Sequence, residues 1–219
     1  VTVSAELRAA TAPVWEAAVG HRFVDELWGG TLPRDVLTRY LVQDHQFLDS
    51  FVALLGAAVA AADRPGPRLR IARQLGMVAG PENDFFDRAL DALGVGEHER
   101  THPGLLPPTT GFLALMDEVR ADARYPDILA VLLVAEWLYL DWATRPGAEL
   151  PAGSIDREWI ELHSGPEFEQ WVAFLRAEFD RAGEGLDGPA RDAVGARFRR
   201  AADLERDFFE AAYRQPSTG

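Results

Sequence analysis

The sequence predicts an all-α protein of seven or eight helices, and three observations carry that expectation. Apolar residues recur every three or four positions along most of the chain, strand-type alternation is confined to scraps, and prolines fall at intervals that suit helix starts and ends. Leu7, Thr11, Trp15 and Ala18 keep the helical spacing and predict a first amphipathic helix. Thr31-Leu32-Pro33 reads as a cap and an early-turn proline opening a long helix through Ala62, which stops before Pro65. A third helix is expected from about Pro67 to Leu93. Gly80-Pro81 lies inside it, where proline removes a backbone donor and forces a kink or break. Thr109, after Pro107-Pro108, is placed to cap a helix to about Ala121, and Pro126-Asp127 opens an apolar helix ending near Pro146. A short helix around Trp159, one from about Pro166 to Arg181 and a last one to about Tyr213 complete the set. With no linker or repeat in the way, residues 1–219 read as one domain.

Composition narrows the chemistry. The chain has 219 residues, a hydrophobic fraction of 47% and a formal net charge of −13, ordinary globular usage with a strongly negative surface. Such a surface repels phosphate backbones and anionic lipid, so neither nucleic acid nor membrane is expected as a partner. Every basic residue other than histidine is arginine, which removes lysine Schiff-base chemistry. The absence of cysteine removes thiolate metal sites, disulfides and thiol nucleophiles. The apolar run Ile128 to Leu140 is shorter than the roughly 20 residues a membrane span needs, and Val1 to Leu7 does not resemble a secretion signal. A cytoplasmic location is the expectation.

Function is sought where charge interrupts a buried stripe. Glu136 is the single charged residue in Ile128–Leu140, on a helix apolar nearly all round. A carboxyl there must pair, accept hydrogen bonds or keep its proton. Asp44 shares a face with Leu41, Leu48 and Phe51, with Phe47 slightly rotated, and an acid beside an aromatic plane suits a flat basic heterocycle. Glu205 falls on the aromatic side of the last helix, with Phe208 and Phe209. For Asp44 and Glu136 the alternative is an ion pair with a core arginine; for Glu205 it is an ordinary exposed glutamate. Glu99-Arg-Thr-His102 has a di-iron-type spacing, but it stands alone in a turn-rich segment, so no metal is expected. His21 reads as structural, while His163 suits either a pocket wall or a satisfied core position.

Taken together, His21-Arg-Phe-Val24, Gly30-Thr-Leu-Pro33, Tyr40-Leu-Val-Gln-Asp44, Pro108-Thr109, Glu136-Trp-Leu-Tyr139, Trp159-Ile160 and Glu205 with Phe208-Phe209 resemble the TenA / thiaminase II family. The resemblance spans nearly the whole chain in order. It implies a heme-oxygenase-like all-α fold, cofactor-free hydrolysis of aminopyrimidines in thiamin salvage, and a homodimer or homotetramer. It matches Asp44 to the acid on the 4-aminopyrimidine edge, Tyr139 to an active-site tyrosine and Glu205 to the proton-moving glutamate. Ala135 stands where that family carries its nucleophilic cysteine. Phe47 and Phe112 stand where tyrosines are common, and His163 where another is usual. The chain thus resembles a cysteine-less branch acting on aminomethyl- or formylaminomethyl-pyrimidine. The expected catalytic residues are Glu205, Glu136 and Tyr139. Asp44, Phe47, Phe112, His163 and Glu82 are expected at the substrate. A pyrimidine-binding or regulatory protein without catalysis is the alternative.

Overall fold

The computed structural model describes residues 1–214, and among these it is helical throughout, with no strand. Seven helices of eleven residues or more make up the frame: α4 (Arg34–Ala61), α5 (Pro65–Met77), α6 (Asn83–Leu93), α8 (Pro107–Asp122), α9 (Tyr125–Ala143), α11 (Pro166–Gly183) and α12 (Gly188–Ala211). Five shorter ones fill in between: α1 (Val3–Ala10), α2 (Ala12–Val19), α3 (Arg22–Trp28), α7 (Glu97–Thr101) and α10 (Ser154–Leu162). The all-α expectation holds, with the chain cut more finely than the periodicity suggested.

The differences have local causes. The stripe from Leu7 to Ala18 does face one way, but Pro13 would collide with the carbonyl four residues back in a continuous helix. The chain therefore breaks at Thr11, whose hydroxyl donates back to the Leu7 carbonyl at 2.8 Å. Segment α3 was not expected, and His21 explains it. Its Nδ1 accepts from the Phe23 N–H at 3.1 Å, an N-cap made by an imidazole. Thr31 caps nothing: Pro33 precedes the first turn of α4, and the Thr31 hydroxyl turns back to the Glu26 carbonyl. Thr109 also lies inside its helix rather than at the cap. At Gly80-Pro81 the helix neither ends nor swings away. It widens into a π turn over Val78–Glu82, which joins α5 to α6 and absorbs the donor that proline lacks.

Helix α9 is the centre of the packing. It meets α2, α4, α8, α11 and α12, and residues Ile128 to Val134 are wholly shielded from solvent. Trp15, Trp159 and Trp171 are fully buried around it, as is Trp142 on α9 itself. Truncating any one to alanine would cost about 3–5 kcal/mol, so this shell fixes where α9 points its side chains. The frame holds α4, α8, α9 and α12 around one cavity, which α10 and the π turn close at the sides.

Candidate active site

Asp44, Phe47, Leu48 and Phe51 come to this cavity from one face of α4, as the spacing of an α-helix requires. Helix α8 adds Phe112 and Met116, α9 adds Val131, Ala135, Glu136 and Tyr139, and α12 adds Glu205. Trp159 and His163 enter from α10 and its end, Phe86 from α6, and Glu82 from the last position of the π turn. The cavity is partly open to solvent, as a site that admits a small molecule must be. All eight residues singled out in the sequence thus line one cavity. Leu48, Phe51, Phe86, Met116, Val131 and Trp159 complete its apolar wall.

Four of the lining side chains are acids, and none has a basic partner among the described residues. The arginine pairing weighed for Asp44 and Glu136 is therefore absent, and Glu205 is buried rather than exposed. Asp44 and Glu136 are 9% and 6% exposed, and Asp44 Oδ2 and Glu136 Oε1 have no hydrogen-bond partner. Burial dominates their acidity. It pushes Glu136 up to about 8, with the charge of Glu82 adding to the rise, and lifts Glu82 itself to about 7. Asp44 is raised well above the usual range by burial and then by Glu82, while the Tyr40 hydroxyl opposes the shift. Burial and then Asp44 raise Glu205 in the same way. The charge that raises Glu136 is that of Glu82, not of the other expected catalytic acid, Glu205. Electrostatically the acids form two linked pairs, Asp44 with Glu205 and Glu82 with Glu136, joined by the action of Glu82 on Asp44.

The neutral polar groups are ordered by hydrogen bonds. The Tyr40 and Tyr139 hydroxyls lie 2.8 Å apart, both buried, and Tyr40 stands one helical turn before Asp44. His163 Nδ1 lies 2.9 Å from the Trp159 carbonyl, which can only accept, so the ring proton sits on Nδ1. Burial lowers this histidine to about 4, and it stays neutral at neutral pH. Its ring packs on Trp159 and Tyr139, with centroids 4.3 and 4.8 Å away. Phe47 meets Phe112 and Phe208 edge to face at 5.5 and 5.0 Å, forming the aromatic wall opposite. Tyr40 was not singled out in the sequence, although its spacing from Asp44 places both on one face.

The region of Glu99 and His102 lies apart, on α7 and its end, where His98 and His102 stack at the surface. Among the described residues no group of three or more histidine, aspartate or glutamate side chains is placed to hold a metal ion, and no helix is long and apolar enough to cross a membrane.

The model of the TENA/THI-4/PQQC family matches residues 8–215. The chain belongs to that family. Among its relatives is the aminopyrimidine aminohydrolase of Bacillus subtilis (strain 168), 27% identical over 97% of this chain and 90% of that protein. The aminopyrimidine aminohydrolase of Halalkalibacterium halodurans is 22% identical over 98% of this chain and 97% of that one. The crystal structure of a TenA homologue from Pyrococcus furiosus superposes with a TM-score of 0.84 at 16% identity, covering 96% of this chain and all of that one. The TENA/THI-4/PQQC fold thus extends over both the frame and the elements that line the cavity.

Proposed function

We propose that this TENA/THI-4/PQQC member is a single-domain hydrolase that cleaves a C–N bond of a thiamin-related aminopyrimidine, either aminomethyl- or formylaminomethyl-pyrimidine, without a cofactor. The observation that carries the reading is the cavity itself: four acids without counter-ions, facing aromatic walls. The names of its two curated relatives support the same substrate class. An aminopyrimidine supplies what such a cavity lacks, N–H donors and a protonatable ring for the acids and a flat face for Phe47 and Phe112.

Asp44 holds the amino edge of the pyrimidine. Ala135 offers no nucleophile, so water attacks. Glu136, protonated up to about 8, gives its proton to the departing nitrogen. Glu205 takes the proton of water, its ionised form being favoured once a cationic ring lies against the Asp44–Glu205 pair. Tyr139, held by Tyr40, orients the substituent.

Incubation with each pyrimidine, following hydroxymethylpyrimidine or the deformylated amine, tests the reaction. Glu205→Gln keeps the shape of the side chain and removes the base. It should lower kcat by about 10²–10⁴ with helical circular dichroism unchanged. Full activity in that variant would overturn the assignment of Glu205. Absence of turnover of both compounds by folded protein would overturn the reaction.

A further inference from the structure

The rod made by α5, the π turn and α6 packs on α4 and buries Ile71, Val78, Phe85 and Phe86, while its other side faces solvent. That outer side is apolar around its middle. Leu69 and Met77 are 62% and 47% exposed, and Ala72, Gly76, Ala79 and Pro81 are exposed between and beside them. Leu69, Ala72 and Gly76 follow one another at three and four residues and so form one stripe. A Cβ at Gly76 or Gly80 would meet nothing within 4 Å, so no packing inside the chain calls for either glycine. Exposed apolar surface gathered in this way marks a contact.

Charge divides along the same side. Pro65 to Pro81 holds three arginines and no acid, in a chain whose net charge is −13, whereas α6 exposes Asp84, Asp87 and Asp91. Arg68 is spent on the Val59 and Ala62 carbonyls, Arg70 lies over the Trp171 ring at 5.5 Å, and Asp91 pairs with Arg100 at 2.5 Å. Arg73 and Asp84 are both exposed, and neither has an ion partner among the described residues.

We propose that this face docks a second copy of the chain, antiparallel across a twofold axis at the π turn. Basic, apolar and acidic parts follow one another along the rod, so the surface complements itself when reversed, as an isologous contact requires. An axis midway between Arg73 and Asp84 falls between Val78 and Ala79, inside the π turn. It sets Arg73 against the partner's Asp84, and Asp84 against the partner's Arg73. The same register lays Met77 over the partner's Gly80 and Gly76 against the partner's Pro81, where the missing side chains let the two backbones approach. Leu69 then reaches the aliphatic stem of the partner's Arg88. An acidic protein or an anionic membrane would satisfy the arginine end and oppose the aspartate end; a second copy satisfies both. The contact braces the π turn from outside, while Glu82 at its end faces the cavity, and it does not depend on what the cavity binds.

Gel filtration with light scattering gives the mass of the assembly, and sedimentation equilibrium gives its affinity. The parent should run at an even multiple of the 24.1 kDa chain. Met77→Arg places two charges beside the axis and should halve that mass at the same concentration, with helical circular dichroism unchanged. Arg73→Asp and Asp84→Arg each turn two attractions into two repulsions and should weaken association about tenfold or more. Mixed in equal amounts, these two variants should associate with one another about as tightly as the parent does with itself, because every contact across the axis again joins opposite charges. Both charge variants lie at exposed positions and carry the test if Met77→Arg does not fold. A monomeric parent overturns the proposal. So does a mass unmoved by Met77→Arg in folded protein, or charge variants that assemble as the parent does. Variants that come apart and do not recover on mixing overturn the antiparallel pairing.

Discussion

At the scale of single residues, Tyr40 shows how a neutral group sets the behaviour of a charged one. Its hydroxyl shares a buried hydrogen bond with Tyr139 and is the one side chain that draws the acidity of Asp44 back toward normal. Tyr40→Phe keeps the ring against Phe23 and Phe208 but strips that hydroxyl. Tyr139 is then left with a buried, unpaired O–H, and Asp44 holds its proton still more strongly. The expected outcome is a loss of about 1–2 kcal/mol in stability and a KM raised several-fold, with kcat less affected. Thermal unfolding and steady-state kinetics on the same preparation check both. The sequence exposes charged residues in apolar stripes readily, because charge out of place has few explanations. A tyrosine in such a stripe reads as ordinary core, so Tyr40 was passed over although it stands four residues before Asp44. The pairing of the acids was equally hidden. Helical phase places Glu136 and Glu205 each on its own helix, but which carboxyl lies nearest which depends on how α9, α12 and the π turn meet.

At the scale of elements, the helices were legible and their ends were not. Periodicity integrates over many residues, whereas an end depends on one or two side chains that have several options. Thr109 illustrates the competition. Instead of capping α8, its hydroxyl donates to Gln43 Oε1 at 2.7 Å, and the same oxygen accepts the Leu106 N–H at 2.9 Å. Gln43 Nε2 donates to the Gly104 carbonyl at 3.0 Å, so one buried side chain on α4 secures the approach to α8. Gln46 adds a second tie, to the Arg100 carbonyl at 2.8 Å. The neighbour of Asp44 is therefore a structural residue, and it fixes the helix that carries Phe112. Gln43→Ala would orphan three polar groups at once. A loss of about 2–3 kcal/mol is expected, lowering Tm by roughly 5–10 °C for a chain of this size, as read by differential scanning calorimetry. The π turn was half legible. Gly80-Pro81 announced an irregularity, but proline alone does not reveal whether the chain breaks or widens. Only widening keeps α5 and α6 joined while turning Glu82 into the cavity.

At the scale of the whole molecule, the acidic cavity couples stability to pH. Glu136 and Glu82 keep their protons to about 8 and about 7 in the folded chain, against 4.5 for an ordinary glutamate, and Asp44 and Glu205 are raised as well. Between the two values the folded state binds more protons than the unfolded one, so unfolding releases protons and becomes easier as pH rises. The stability these groups allow is complete below their unfolded pKa and is lost as pH climbs through 7 and 8. His163 acts in the opposite sense. Lowered to about 4, it costs stability as pH falls below 6.5, but it is one group against four and its window lies lower. Melting temperature is therefore expected to fall steadily from about pH 6 to pH 8.5. Glu136→Gln removes the carboxyl raised to about 8 while keeping its shape. That variant should match the parent near pH 4, where the carboxyl is protonated in both states, melt increasingly higher than the parent as pH rises to 8.5 and show a shallower slope between, and parallel profiles would mean that Glu136 ionises freely in the folded chain. An aminopyrimidine bound as a cation should flatten the parent's profile too, because it offers the carboxylates the counter-charge that the protein withholds.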